Sequence, residues 1–111
     1  MTDEKPDILQ QLATTIRERA KADAGSSYTR VLLDGGAEKC AKKLAEEAAE
    51  TVIAAVSQDK KAVTAEAADL LYHLLVLLQA RGVSFDGVLA ELERRMGTSG
   101  LEEKAGRNKD R

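Results

Sequence analysis

The 111-residue chain is bounded to one small domain with a modest core. Its formal net charge of −2 excludes the basic surplus of a general nucleic-acid binder, and its single cysteine, Cys40, excludes an intrachain disulfide. With 43% hydrophobic residues but only 3% aromatics, the core has to be assembled from Leu, Val, Ile and Ala, which favours helices over sheet.

In chain order, Met1 to Pro6 is acidic and polar, unlike a secretory signal. Pro6 suits the first turn of a helix. Ile8, Leu9, Leu12, Ala13, Ile16 and Ala20 then recur at three- and four-residue spacing, which predicts an amphipathic helix ending near Ala24, where Gly25-Ser26-Ser27 breaks it. Tyr28 to Leu33 is expected as a short helical turn before the stop Asp34-Gly35-Gly36. A second helix is predicted from about Ala37 to Ser57, with Leu44, Ala48, Val52, Ala55 and Val56 on its apolar side and Cys40 as a small buried residue. The polar break Gln58 to Lys60 leads to a third helix that reaches about Ala80 and stops at Gly82. Ser84 is the expected N-cap of a fourth, whose apolar stripe is Val88, Leu89, Leu92 and Met96. Residues 1–97 are thus expected to form the helical domain, and the charged tail 98–111 to lack fixed structure. No strand pattern or repeat is present, so the fold class is all-α, a four-helix-bundle-like subunit. The longest apolar stretch, Leu70 to Leu78, is far short of the ~20 residues a membrane span needs. A soluble, cytoplasmic protein with no membrane or nucleic-acid partner is expected.

The chemistry lies in carboxylates. Laid out at about 100° per residue with Glu46 as zero, the second helix places Lys39 near ~20°, Glu50 near ~40°, Lys43 near ~60° and Glu47 near ~100°. Alone, this is an ordinary solvated face. The third helix is different, because beyond Val63 nearly every position is apolar, the mark of a helix buried on most sides. Yet Glu66, Asp69 and His73 stack along one line of it at spacings of three and four. Buried carboxylates need a counter-charge. If the two acidic faces meet, four or five carboxylates converge on at most two lysines, and divalent cations resolve the imbalance. Hard oxygen donors without a Cys/His cluster point to Mg²⁺, with Mn²⁺ as a substitute.

The stretch Lys43-Leu44-Ala45-Glu46-Glu47-Ala48-Ala49-Glu50, followed by Glu66-Ala67-Ala68-Asp69, resembles the motif of the all-α nucleotide pyrophosphohydrolases, which include MazG-type enzymes and dimeric dUTPases. Within that superfamily the chain is similar to the phosphoribosyl-ATP pyrophosphohydrolase family. The similarity extends to Ser27-Tyr28-Thr29, Gly35-Gly36, the run from Ala67 to Leu78, Arg81-Gly82-Val83-Ser84 and the tail from Ser99 to Ala105. The resemblance implies Mg²⁺-dependent hydrolysis of phosphoribosyl-ATP to phosphoribosyl-AMP and pyrophosphate, the second step of histidine biosynthesis, by a stand-alone homodimeric enzyme. It also implies that Glu47, Glu50, Glu66 and Asp69 hold the metal, with Glu46 as an accessory acid. Glu47 is the candidate for orienting and deprotonating the attacking water.

Lys39 and Lys43, one turn apart on the acidic face, are candidates for phosphate oxygens. Tyr28 and Thr29 could meet a ribose or phosphate, and Lys104 and Arg107 could close over an anionic substrate. His73 is expected at a bundle edge or subunit contact rather than in the site, and Tyr72 in packing. Three short amphipathic helices do not easily cover the apolar third helix within one chain, so a two-fold dimer is expected on physical grounds too. The alternatives are a MazG-type house-cleaning pyrophosphohydrolase of nucleoside triphosphates and a non-catalytic helical dimerisation module.

Overall fold

A computed structural model describes residues 7–21 and 27–97, and among these residues the chain is helical with no strand. Five helices follow in order: α1 (Ile8–Arg19), α2 (Tyr28–Asp34), α3 (Gly36–Ser57), α4 (Lys60–Ala80) and α5 (Phe85–Met96). The all-α expectation therefore holds, with the Tyr28 turn grown into a seven-residue helix. Pro6, residues 22–24 and the tail carrying Lys104 and Arg107 lie outside the described residues.

Local chemistry accounts for most boundaries. The Asp7 N–H donates to Gln10 Oε1 at 3.2 Å, closing the start of α1. The helix stops at Arg19 rather than near Ala24. Lys21 N bonds Glu18 O at 3.1 Å, a tightened last turn, and Arg30 Nη1 reaches across from α2 to cap Ala20 O at 2.7 Å. Ser27 accepts from Arg30 N at 3.1 Å, Asp59 from Ala62 N at 2.9 Å, and the expected cap Ser84 from Gly87 N at 3.4 Å. α4 ends as Gly82 predicts. With φ at +69°, this glycine lets Val83 N bond Leu78 O at 2.9 Å while its own N–H bonds Gln79 O at 3.1 Å.

α3 and α4 form a long antiparallel hairpin joined by Gln58-Asp59 and make the most extensive helix pair. α1 and α2 pack across one side of it, and α5 leans on α1 with no residue fully buried. The core joins Ile16, Leu32, Cys40, Leu75 and Val76, one or two from each of α1 to α4, with Phe85 of α5 packed against them. Cys40 is buried as expected. Its thiol donates to Leu32 O at 3.3 Å, and burial pushes its pKa up, so it is an inert core residue.

α4 is left partly uncovered, as the shortage of amphipathic partners within one chain implied. It is not enclosed on most sides within one chain: only His73, Leu75 and Val76 are buried, and Leu71 is exposed. On α3, Val52 and Val56, expected on the apolar side, are 63% and 81% exposed. The other four described helices leave this 21-residue apolar helix partly open. α4 as a whole is long and apolar enough, by length and composition alone, to cross a membrane; counting only Leu70 to Leu78 missed this because the preceding alanines extend the apolar run. Its carboxylates, however, meet those of α3, which suits a bundle helix and not a lipid-facing one.

Candidate metal centre

Because the hairpin is antiparallel, residues equally distant from its turn face each other, and Thr51 comes opposite Glu66. One turn farther along each helix come Glu47 and Asp69. Carboxylate oxygens of Glu47, Glu66 and Asp69 all lie within 4.8 Å of one another. The two acidic faces that the sequence placed on separate helices are in contact. Glu47 Oε2 and Glu66 Oε2 are both shut off from solvent and have no hydrogen-bond partner among the described residues. A buried carboxylate oxygen without a donor is an unmet demand for positive charge.

The titration behaviour reflects that demand. A hydrogen bond shared with the Glu50 side chain, followed by burial and the charges of Glu50 and Asp69, raises the Glu47 pKa, with His73 opposing. Burial raises that of Glu66, followed by the charges of Glu50 and Asp69 and a hydrogen bond with Glu50. Glu50 is therefore a neighbour of both, although it does not contribute to the tight three-residue group. Each carboxyl is easier to protonate than usual because hydrogen bonding with Glu50, burial and neighbouring acids act in the same direction.

The remaining sequence candidates fall outside that group. Glu46 is half-exposed and pairs with Lys43, Oε1 to Nζ 3.3 Å. That hydrogen bond, with Tyr28 and Glu47 also contributing, raises the Lys43 pKa, so the lysine stays charged at the rim of the acidic face. Lys39 is exposed one turn before it. Tyr28 is 53% exposed and stacks on Tyr72 with ring centroids 6.3 Å apart. Thr29 is buried, and its hydroxyl is hydrogen-bonded to Tyr72 Oη at 2.5 Å. Tyr72 serves packing, as expected.

His73 is more buried than a bundle-edge position implies, at 6% exposure. Its Nδ1 lies 2.8 Å from Asp69 O, and since a carbonyl can only accept, Nδ1 carries the proton. Nε2 is buried and unpartnered among the described residues. The ring stands edge-on to both Tyr28 and Tyr72. The one-turn spacing from Asp69 was the available signal for this placement. Sequence reasoning missed Thr51 altogether; its hydroxyl bonds Glu47 O at 2.8 Å on its own helix and Glu66 O at 3.1 Å on the facing one.

A set of hard carboxylate donors with two orphaned oxygens fits a hard divalent cation. The chain is similar to known proteins over most of its length. Residues 9–96 match the phosphoribosyl-ATP pyrophosphohydrolase family. Phosphoribosyl-ATP pyrophosphatase of Azorhizobium caulinodans is 60% identical over 101 residues, covering 91% of this chain and 93% of that protein. That of Jannaschia sp. is 60% identical over 99 residues, 89% of this chain and 97% of the relative. That of Cereibacter sphaeroides is 56% identical over 100 residues, with 90% and 97% covered.

Proposed function

The chain belongs to the phosphoribosyl-ATP pyrophosphohydrolase family, and we propose that it hydrolyses phosphoribosyl-ATP to phosphoribosyl-AMP and pyrophosphate, the second step of histidine biosynthesis, at the carboxylate cluster between α3 and α4. The observation that carries the site assignment is the convergence of Glu47, Glu66 and Asp69, two of them with buried orphan oxygens.

In this reading Glu47, Glu50, Glu66 and Asp69 hold Mg²⁺, and Mn²⁺ can replace it. When bound, the cation offsets the charge of the phosphoanhydride oxygens and of the departing pyrophosphate. Glu47 orients the attacking water and takes its proton. Its carboxyl already binds a proton more readily than an ordinary glutamate, which suits a general base. Lys43 and Lys39 receive phosphate oxygens as point charges, and Glu46 acts through Lys43 by holding its ammonium at the rim. Tyr28, half-exposed beside Lys43, is the remaining contact for the nucleotide, while Lys104 and Arg107 of the tail are assigned to closure over its phosphates.

Val52, Ile53, Val56 and Leu71, exposed on α3 and α4, support a homodimer that covers them. The protein is proposed to work in the cytoplasm.

One assay tests the reading. Purified protein with Mg²⁺ is offered phosphoribosyl-ATP beside a panel of ordinary nucleoside triphosphates, and pyrophosphate release is measured. Preferential release from phosphoribosyl-ATP, abolished by a chelator, is expected. Preference for a common triphosphate would place the chain with MazG-type enzymes, and no release from any substrate would end the enzymatic reading.

A further inference from the structure

Hydroxyl side chains inside helices usually bond the carbonyl four residues back, a local habit without tertiary meaning. Three among the described residues do only that, in exposed bonds: Thr15 to Gln11 O at 3.0 Å, Ser57 to Ile53 O at 2.6 Å and Thr64 to Lys60 O at 2.9 Å. Thr51 differs. It is partly buried in the α3–α4 seam, and besides bonding Glu47 O at 2.8 Å it reaches Glu66 O on the opposite helix at 3.1 Å. Its single proton is shared between the backbones of the two residues whose carboxylates carry the buried, orphaned oxygens.

The location has a mechanical consequence. Like charges on Glu47, Glu50, Glu66 and Asp69 push the two helices apart wherever no cation stands between them. A divalent ion demands oxygen donors at short, set distances, so a small change in separation or register of α3 and α4 costs affinity. The backbone tether at positions 47 and 66 opposes that spreading at the level of the cluster itself.

We propose that Thr51 is a positioning residue for the carboxylate centre, its hydroxyl pinning α3 to α4 so that Glu47 and Glu66 face one ion. The inference rests on the metal-site reading above. Thr51 touches neither substrate nor cation; it acts through the carbonyls of the two residues that do. Outer partners of this kind typically set affinity by about 10- to 100-fold.

The test is Mn²⁺ titration of the full chain by calorimetry, for the unsubstituted protein and for Thr51→Val, Thr51→Ala and Thr51→Ser. T51V keeps the shape and loses the hydroxyl; T51S keeps the hydroxyl. T51V and T51A should bind Mn²⁺ about tenfold more weakly, while T51S stays close to the unsubstituted protein. The Mg²⁺ concentration for half-maximal turnover should rise in parallel, with turnover recovered at saturating Mg²⁺. If T51V does not fold, the comparison of T51A with T51S decides the same point. Equal Mn²⁺ affinity in all four proteins, or T51S as weak as T51A, overturns the positioning role and leaves the metal site standing. Absence of Mn²⁺ binding by the unsubstituted protein overturns both.

Discussion

Two acidic regions of this chain shift their carboxyls in opposite directions. On α5, Glu91 lies between Arg94 and Arg95, with Oε2 at 2.6 Å from Arg94 Nη2 and 2.9 Å from Arg95 Nε, and those hydrogen bonds lower its pKa to about 2. In the α3–α4 seam, Glu47 and Glu66 have other acids where Glu91 has arginines, and both are raised. Helical spacing of three and four produces both arrangements. Glu91 is satisfied from its own helix, whereas the seam is left short of positive charge among the described residues. A balanced surface cluster contributes little to stability or function, and an unbalanced buried one is tolerated where it binds something.

The largest effect should come from changing the proposed base. Glu47→Gln, if folded by circular dichroism, is expected to lose turnover by roughly 10²-fold or more; an unimpaired variant would remove Glu47 from that role. The apolar core should respond in stability instead. Leu75→Ala removes a buried side chain one or two turns from the cluster and should cost ~2–5 kcal/mol of unfolding free energy in urea titrations. Its Mn²⁺ affinity, measured where the variant remains folded, should be unchanged, and a large loss would mean that core and seam are not separable.

Acidity sharpens the contrast further. Glu47 and Glu66, raised in the folded state, hold protons that the unfolded chain has already released above the ordinary glutamate pKa of ~4.3. Without metal, they make the protein less stable as pH climbs through that value towards their higher folded pKa. Glu91 works the other way, adding stability above the ordinary glutamate range that is lost as pH falls towards 2. Melting temperature against pH, with and without Mg²⁺, reads the seam: a metal-free curve that rises as pH climbs above the ordinary glutamate range, while the Mg²⁺-loaded one does not exceed it, would contradict the charge argument. The smallest change is expected from Glu91→Gln, which should leave turnover and metal affinity intact and shift the melting temperature by a few degrees at most, because the pair is exposed.

Much of the site was legible because helix position is periodic. The wheel placed Glu46, Glu47 and Glu50 with Lys39 and Lys43 on one face of α3, and the apolar surroundings of Glu66 and Asp69 marked α4 as the partner. The wheel did not separate Glu46 from Glu47, since adjacent positions on a broad face differ only in which one the neighbouring helix covers. Glu46 is turned to Lys43 and solvent, and Glu47 to the seam. Thr29 was legible only as a hydroxyl before a glycine turn, and its bond to Tyr72, 43 residues away in sequence, is visible only in the fold. The exposed Val52 and Val56 mark another limit, because apolar periodicity tells that a face seeks cover and not which chain supplies it.

What the sequence determined alone was local: four helices and a helical turn, their glycine and hydroxyl boundaries, and the alignment of acids along two of them, all consequences of backbone geometry within a few residues. The tertiary structure decided which acids converge, that His73 is buried with its Nδ1–H on Asp69 O, and that Thr51 bridges two helices. Those outcomes depend on the register and separation of α3 and α4, set by many packed side chains acting together across the hairpin, and no stretch of sequence carries that information by itself.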